Sequence, residues 1–176
     1  MPSLSRRAAV LCLAAPLAGC GFALRKPPRY AFRSIDLSLP VNSTLRPVLT
    51  RALQAQPALQ VLSESQDRQT ADVVLEVLSE IREKVATGQN AVGQAREFVL
   101  RLKLRFRLHT PRGLELLGLT ELIAEREISF AEQAALAKEE EEALLYRDMR
   151  KDLLRQLLAR LAAVPDLVTP APTTKR

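Results

Sequence analysis

The sequence predicts an α/β domain of the α+β type, with a four- to five-stranded mixed sheet and two helices packed on one face. Three features of the 176 residues indicate this fold. A long segment alternates apolar and polar residues, a turn and a second strand-like segment follow it, and two amphipathic helical segments flank these strands. Both apolar helix stripes can be buried against one sheet face in a single layer contact, which leaves the other sheet face open to a partner.

The sequence of the first third of the domain predicts a strand, a helix and a short second strand. Apolar and polar residues alternate over 35–39, which is typical of a half-buried strand. Apolar residues recur at helical spacing over 45–53 and predict a helix of about three turns, for which Ser43 offers an N-cap. Residues 59–62 are a candidate strand, and the polar stretch 63–70 is expected to be a loop.

A third strand is expected over 72–85, where apolar residues again recur at every second position. Leu78 and Ile81 break this alternation, which indicates a bulge or a change of the buried face. The stretch 87–93 contains two glycines and an asparagine and is interpreted as a turn or an exposed loop.

The strongest strand pattern lies over 97–109. Its apolar face consists of Phe98, Leu100, Leu102, Leu104, Phe106 and Leu108. A period of two that continues over this length indicates a strand and excludes a helix. Thr110–Gly113 turns the chain, and 114–128 is expected to return as an antiparallel partner.

The register of this hairpin depends on the length of its loop. If Pro111–Gly113 forms a three-residue loop, Lys103 lies opposite Glu121 and Leu102 lies opposite Leu122. A shift of one residue would exchange the faces of the strand.

The last predicted element is a helix over 136–163. The acidic residues Glu139–Glu142 lie near its beginning and basic residues lie in its later turns, which matches the helix macrodipole. Its apolar stripe is broad enough to pack on the sheet. We therefore expect one domain over 30–163 and a flexible tail over 164–176.

The N-terminus has the order of a bacterial lipoprotein signal. Two arginines precede a short apolar run, and Leu17–Cys20 resembles a lipobox, in which the cysteine is acylated and becomes the first residue. We expect 1–19 to be cleaved as a signal peptide and 20–29 to form a lipidated tether. Gly21 after the cysteine favours the outer membrane, with the domain facing the periplasm.

Composition excludes several classes of function. Removal of the leader, with its Arg6 and Arg7, leaves 24 basic and 20 acidic residues, hence a net charge of +4. One histidine and no further cysteine after Cys20 argue against a metal site, and no cofactor is expected. No nucleophile motif is present, so we do not expect an enzyme. The export signal and the lack of aromatic residues among the basic ones argue against nucleic acid.

Four basic residues lie on the polar face of the strongest strand, namely Arg101, Lys103, Arg105 and Arg107. Two interpretations remain open. The residues can form an ordinary solvated sheet face, or an anion-binding surface that engages phosphate groups of a lipid.

The sequence resembles the LptE family of lipopolysaccharide-assembly lipoproteins. The resemblance lies in Gly19–Arg25, Arg96–Phe98, Arg126–Ile128, Leu136–Glu141 and the final helical segment 149–161. It implies a domain within the lumen of the outer-membrane barrel LptD, which it helps to assemble, and binding of lipopolysaccharide (LPS). Lys138 matches the lysine of the family's Leu-Ala-Lys segment and is the LPS contact that the resemblance implies.

A second class of function remains open, that of a pilot or structural lipoprotein which escorts another envelope complex without binding LPS. The identity of the partner protein distinguishes the two hypotheses.

Overall fold

A computed structural model describes residues 28–62, 68–91, 93–129 and 135–165. The elements are β1 (Ser34–Ser38), α1 (Arg46–Gln54), β2 (Gln60–Val61), β3 (Val73–Gln89), β4 (Ala95–His109), β5 (Glu115–Ser129) and α2 (Ala135–Ala162), with a short 3₁₀ helix at Arg68–Thr70. The predicted α+β fold with a mixed sheet and two helices is confirmed. The signal peptide, Cys20, tether residues 20–27 and tail residues 166–176 lie outside the described residues.

The strands form one sheet in the order β2-β1-β3-β4-β5. Strand β1 is parallel to both β2 and β3, whereas β3, β4 and β5 are antiparallel neighbours. Parallel neighbours need a crossover connection, and α1 lies in the connection between β1 and β2. The three long strands need only tight turns, and they extend well past the short ones.

One face of the sheet forms the hydrophobic core with both helices. On β4, Leu100, Leu102, Leu104, Phe106 and Leu108 are at most 1% exposed. The helices cover them with a second set of buried residues, which includes Leu49, Leu53, Met149, Leu153 and Leu157. The period of two read from the sequence therefore identifies the buried face of β4 correctly.

Strand β3 carries the predicted bulge at Leu78. Val77 pairs with Phe106 and Ser79 with Arg105, so Leu78 is an extra residue on β3. Before the bulge the odd-numbered residues face the helices, and after it the even-numbered residues do.

The predicted turn over 87–93 is wrong in its first half. Strand β3 continues to Gln89, with further register shifts around Gly88, and the tight turn covers only Asn90–Gly93. A Cβ atom at Gly88 would lie 2.5 Å from the Glu97 carboxylate, so any other residue there would require the Glu97 side chain to move. Gly93 adopts a φ of 81°, which glycine tolerates best.

The hairpin register differs by two residues from the prediction. Leu102 pairs with Ala124 and Lys103 with Ile123, although the loop does close with His109 opposite Glu115. Two register shifts next to the loop, between Phe106 and His109, move the partners along β5. Because the total shift is an even number, the predicted faces survive while the predicted partners do not.

The predicted N-cap of α1 is also wrong. Leu45 occupies the N-cap position and makes no side-chain cap, while the Ser43 hydroxyl donates to Glu80 at 2.8 Å. The same carboxylate accepts hydrogen bonds from the Thr44 hydroxyl and from the Leu45 amide. A side chain on β3 therefore holds the beginning of α1, which no local pattern around Ser43 reveals.

Helix α2 is attached to the sheet by polar contacts as well as by its apolar stripe. The Tyr146 hydroxyl donates to the Glu83 carbonyl at 2.9 Å, and Lys84 pairs with Glu142 at 2.6 Å. On the opposite flank Arg126 pairs with Asp152. These contacts lie on both sides of β4, so they fix how α2 lies across the sheet.

Candidate functional site

The four basic residues predicted from β4 lie together on the sheet face that points away from the helices. We call this surface the outer face. It consists of Glu76, Ser79, Ile81, Glu83 and Val85 of β3, Val99, Arg101, Lys103, Arg105 and Arg107 of β4, and Leu119, Glu121, Ile123, Glu125 and Glu127 of β5.

Every one of the four basic residues is paired with a glutamate on a neighbouring strand. The distances are 2.5 Å from Arg101 Nε to Glu125 Oε1, 2.8 Å from Lys103 Nζ to Glu83 Oε1, 3.8 Å from Arg105 Nε to Glu121 Oε2, and 2.6 Å from Arg107 Nη2 to Glu76 Oε2. The outer face is therefore a basic strand between two acidic ones, in which each of the four cations is matched to a glutamate and Glu127 is a fifth glutamate.

The pairing of all four basic residues with glutamates bears on the two interpretations of these residues, a solvated sheet face or an anion-binding surface. An anion that binds there has to displace a glutamate or share its cation, which lowers the gain from each contact. Arg105 has the longest pair distance and is the cation most available for exchange. The sequence predicted Glu121 opposite Lys103, whereas Glu121 pairs with Arg105 and Lys103 pairs with Glu83, because the register shifts in β3 and β5 change which residues are opposite each other.

Exposed apolar residues separate these ion pairs. Ile81 is 44% exposed, Ile123 47% and Leu119 55%. Ile81 and Ile123 lie on either side of Lys103 in one row across the three strands. Exposed apolar side chains grouped on one face are typical of a surface that contacts another protein.

The bulge in β3 is responsible for part of this exposure. If Leu78 were paired regularly instead of forming a bulge, the alternation set by Val73 would continue and turn Ile81 and Val85 towards the helices. The bulge instead places them on the outer face and turns Arg82 and Lys84 under α2. The fold thus exposes apolar side chains that regular pairing would have buried.

Glu76 lies at the end of the outer face where β4 meets its turn to β5. The Arg107 guanidinium, which donates to Glu76, holds the pKa of that carboxyl below its ordinary value, and His109 contributes in the same direction. His109 Nε2 lies 3.5 Å from Glu76 Oε2, and its Nδ1 lies 2.8 Å from the Thr110 carbonyl. His109 therefore belongs to this ion-pair group at the end of the strand.

Lys138 lies apart from the four basic residues of β4. It belongs to the first turns of α2, in the helix layer on the opposite side of the sheet, and its ammonium donates to Glu141 at 2.7 Å. Its side chain is 20% exposed. The structure thus separates the candidate that the family resemblance implies from those that the charge pattern implies.

Among the described residues, no group of three or more His, Cys, Asp or Glu residues is arranged to hold a metal ion. None of the described helices is both long enough and apolar enough to cross a membrane.

The fold and the outer face define a class of protein, a small α+β domain with a broad sheet face on which cations are paired with glutamates. The chain belongs to the LptE family, described as lipopolysaccharide-assembly, whose model matches residues 32–161. The predicted family is confirmed, and membership shows a role in lipopolysaccharide assembly.

Solved structures of lipoproteins share the fold. The solution structure of uncharacterized lipoprotein B from Nitrosomonas europaea is 26% identical, with a TM-score of 0.67 over 81% of this chain and 92% of that one. The rare lipoprotein B from Shewanella oneidensis is 21% identical, with a TM-score of 0.61 over 74% of this chain and 94% of that one. A minor lipoprotein from Acinetobacter baumannii is 20% identical, with a TM-score of 0.59 over 78% and 94%. Comparison with curated protein sequences gave no match.

Proposed function

We propose that this protein is an outer-membrane lipoprotein that forms a complex with an LptD-type barrel, as its plug and assembly partner. In this proposal it also binds LPS during delivery to the outer leaflet and has no catalytic activity. The observation that carries the proposal is the LptE family match over residues 32–161, which spans nearly all of the described domain.

The predicted lipid on Cys20 supports this location. Attachment by two or more acyl chains is stable where a single chain is marginal. The tether of about ten residues then keeps the domain close to a barrel in the same membrane, which raises its effective concentration for that partner. Cys20 lies outside the described residues, so its lipidation is tested separately by mass spectrometry of the protein from its own host.

The outer face is the surface we assign to the barrel. Its four cations already have glutamate partners within the domain, so covering these ion pairs leaves none of the four cations without a counter-charge. Its exposed isoleucines and leucine provide apolar area for the contact.

Site-specific photo-crosslinking in the host tests this contact. A photoreactive residue at Ile123 on the outer face is compared with one at Leu144, which is 50% exposed on α2. We expect Ile123 to give an adduct with a large LptD-type barrel and Leu144 to give much less. An adduct with a secretin or another envelope complex supports the pilot-lipoprotein alternative, and the absence of any adduct from Ile123 contradicts the assignment of this face.

Charge reversal tests the LPS contact. Lys138→Glu combined with Arg105→Glu removes the cation of the family segment and the most loosely paired cation of the outer face. The control is Lys151→Glu with Arg155→Glu, which changes the net charge equally and breaks two exposed pairs within α2. We expect weaker LPS binding for the first variant alone; equal binding by both variants would remove these residues from the site.

A further inference from the structure

Three arginines gather where β3, α2 and the loop before α1 meet. Arg82 follows the bulge in β3, so it points to the helix side of the sheet, where its guanidinium carbon lies 5.2 Å from the centre of the Tyr146 ring. Its Nη2 donates to the Thr44 hydroxyl at 3.3 Å. Arg147 and Arg150 lie next to Tyr146 on α2, about one helical turn apart. We call these residues the arginine cluster.

The carboxylates around the arginine cluster are occupied by other groups. Among the described residues, none of the three arginines forms an ion pair. The nearby carboxylates have other partners. Glu80 accepts hydrogen bonds from the Ser43 and Thr44 hydroxyls and from the Leu45 amide. The other three form ion pairs with lysines, namely Glu83 with Lys103, Glu142 with Lys84 and Asp148 with Lys151. The cluster is therefore a local excess of positive charge, in contrast to the outer face, where each cation is paired with a glutamate.

Arg150 carries a hydrogen-bond donor that has no acceptor among the described residues. Its Nε is buried and has no hydrogen-bond partner among the described residues. Burial and the charges of Arg82 and Arg147 lower the pKa of the Arg150 guanidinium, while Glu80 acts in the opposite direction. An arginine stays protonated in proteins, so this donor remains charged, and a buried donor without a partner costs free energy until an acceptor binds.

We infer that Arg82, Arg147 and Arg150 form a binding site for a phosphate group, carried by a phosphorylated glycolipid. The choice of glycolipid rests on the function proposed above. Guanidinium groups suit this ligand because each can bind two phosphate oxygens at once.

The surroundings of Arg82 leave room for such a group. A depression of about 250 Å³ is lined by Pro40, Asn42, Ser43, Thr44, Glu80 and Arg82. The asparagine amide and the two hydroxyls are polar groups that can contact a phosphate or a sugar. The Glu80 carboxylate lines the same depression, but Arg82 forms no ion pair with a described residue, so a phosphate beside Arg82 has no ion pair to displace, unlike one placed on the outer face.

The test uses the full-length lipoprotein in nonionic detergent and a variant that carries Arg82→Gln, Arg147→Gln and Arg150→Gln. The control carries Arg51→Gln, Arg112→Gln and Arg160→Gln, three exposed arginines far apart in the chain, and so loses the same charge. Binding is measured to LPS, to LPS freed of its phosphates, to phosphatidylglycerol vesicles and to inorganic phosphate. Thermal unfolding of each variant checks that the domain is folded.

We expect the cluster variant to bind LPS at least about tenfold more weakly than the control, and expect the difference to disappear with dephosphorylated LPS. Equal losses in both variants, or no loss in either, would overturn the site. If the wild-type protein binds LPS and the cluster variant binds it equally well, the site fails while the proposed function stands. If the wild-type protein ignores LPS but binds phosphatidylglycerol or inorganic phosphate through the cluster, the phosphate site stands and the proposed LPS binding fails.

A folded cluster variant is needed for these comparisons, because Arg82 also contacts Tyr146. Should the triple variant unfold, the pair Arg147→Gln and Arg150→Gln leaves that contact intact. It is compared with Arg112→Gln and Arg160→Gln, and the same loss of LPS binding is expected in the folded protein. Equal binding by these two pairs would likewise overturn the site.

Discussion

The two faces of β4 are built from alternate residues of one strand, yet they are stabilised in different ways. The face towards the helices is leucine and phenylalanine with at most 1% exposure, whereas the outer face is a row of cations, each matched to a glutamate. Burial of a large apolar side chain contributes about 1.5–3 kcal/mol, and an exposed ion pair about 0–1 kcal/mol. The inner face therefore accounts for the stability of the fold, and the outer face is free to serve a partner.

The largest expected effect comes from the inner face. Phe106→Ala removes a fully buried ring that packs between the sheet and the helices. We expect the free energy of unfolding to fall by about 3–5 kcal/mol, since both the apolar contact and the filled volume are lost. Urea denaturation followed by circular dichroism measures it; a loss below about 1 kcal/mol would contradict the distinction between the two faces.

A smaller effect is expected where β3 holds the beginning of α1. Glu80→Ala removes the carboxylate that accepts hydrogen bonds from the Ser43 hydroxyl and the Leu45 amide. The expected loss of stability is about 1–2 kcal/mol, comparable to the loss of a helix cap. Faster amide hydrogen exchange at the beginning of α1, compared with the wild type, is the specific sign; unchanged exchange there would refute the capping role.

The hydrogen bond between α2 and the sheet is expected to contribute less. Tyr146→Phe keeps the ring but removes the hydroxyl that donates to the Glu83 carbonyl at 2.9 Å. We expect a loss of about 1 kcal/mol in urea denaturation. A change in unfolding free energy close to zero would contradict this prediction, since it would mean that water replaces the hydroxyl at no cost in free energy.

Acid should weaken the end of the outer face near Glu76. Because its folded pKa lies below the ordinary value of 4.5, the ionised carboxyl stabilises the fold above the unfolded pKa. This contribution is lost as the pH falls through the folded pKa. Glu76→Gln should therefore flatten the dependence of unfolding free energy on pH below about 5, and an unchanged slope would count against the pairing with Arg107.

The smallest effect is expected from the ion pairs in the middle of the outer face. Arg101→Gln should change stability by less than about 1 kcal/mol, because the Arg101 and Glu125 side chains are 38% and 50% exposed and solvent screens their attraction. Its neighbour Leu102→Ala, on the opposite face, serves as the matched comparison and should cost about 2–5 kcal/mol. Similar losses for both variants would erase the distinction between the faces.

Much of the fold could be predicted because its strands and helices have strong periodic patterns. The period of two over β4 identified the buried face, and the break in alternation at Leu78 identified the bulge in β3. Partners across strands could not be predicted, since two small register shifts near the hairpin loop moved Lys103 from Glu121 to Ile123. The cap of α1 was missed for a related reason, because Glu80 is distant in sequence from the helix that it holds.

The basic residues of the outer face could be predicted from the sequence, but the ion pairs that they form could not. The basic residues of β4 were visible in the sequence, while their pairing with Glu83 and Glu125 depends on neighbouring strands. The arginine cluster left no local signal, because Arg82 and Arg147 are 65 positions apart in the sequence and meet only when α2 folds back over β3.

The extra residue in β3 makes this strand unequally tolerant of changes in its length. Deletion of Leu78 would leave every later residue opposite its present partner, so that only the local distortion disappears. Deletion of one residue from the regularly paired part of the strand between Ser79 and Ala86 would interchange solvent-facing and helix-facing side chains in the residues that follow. Among homologous chains, gains and losses of single residues in this strand should therefore concentrate at Leu78 and around Gly88, where the pairing is already irregular.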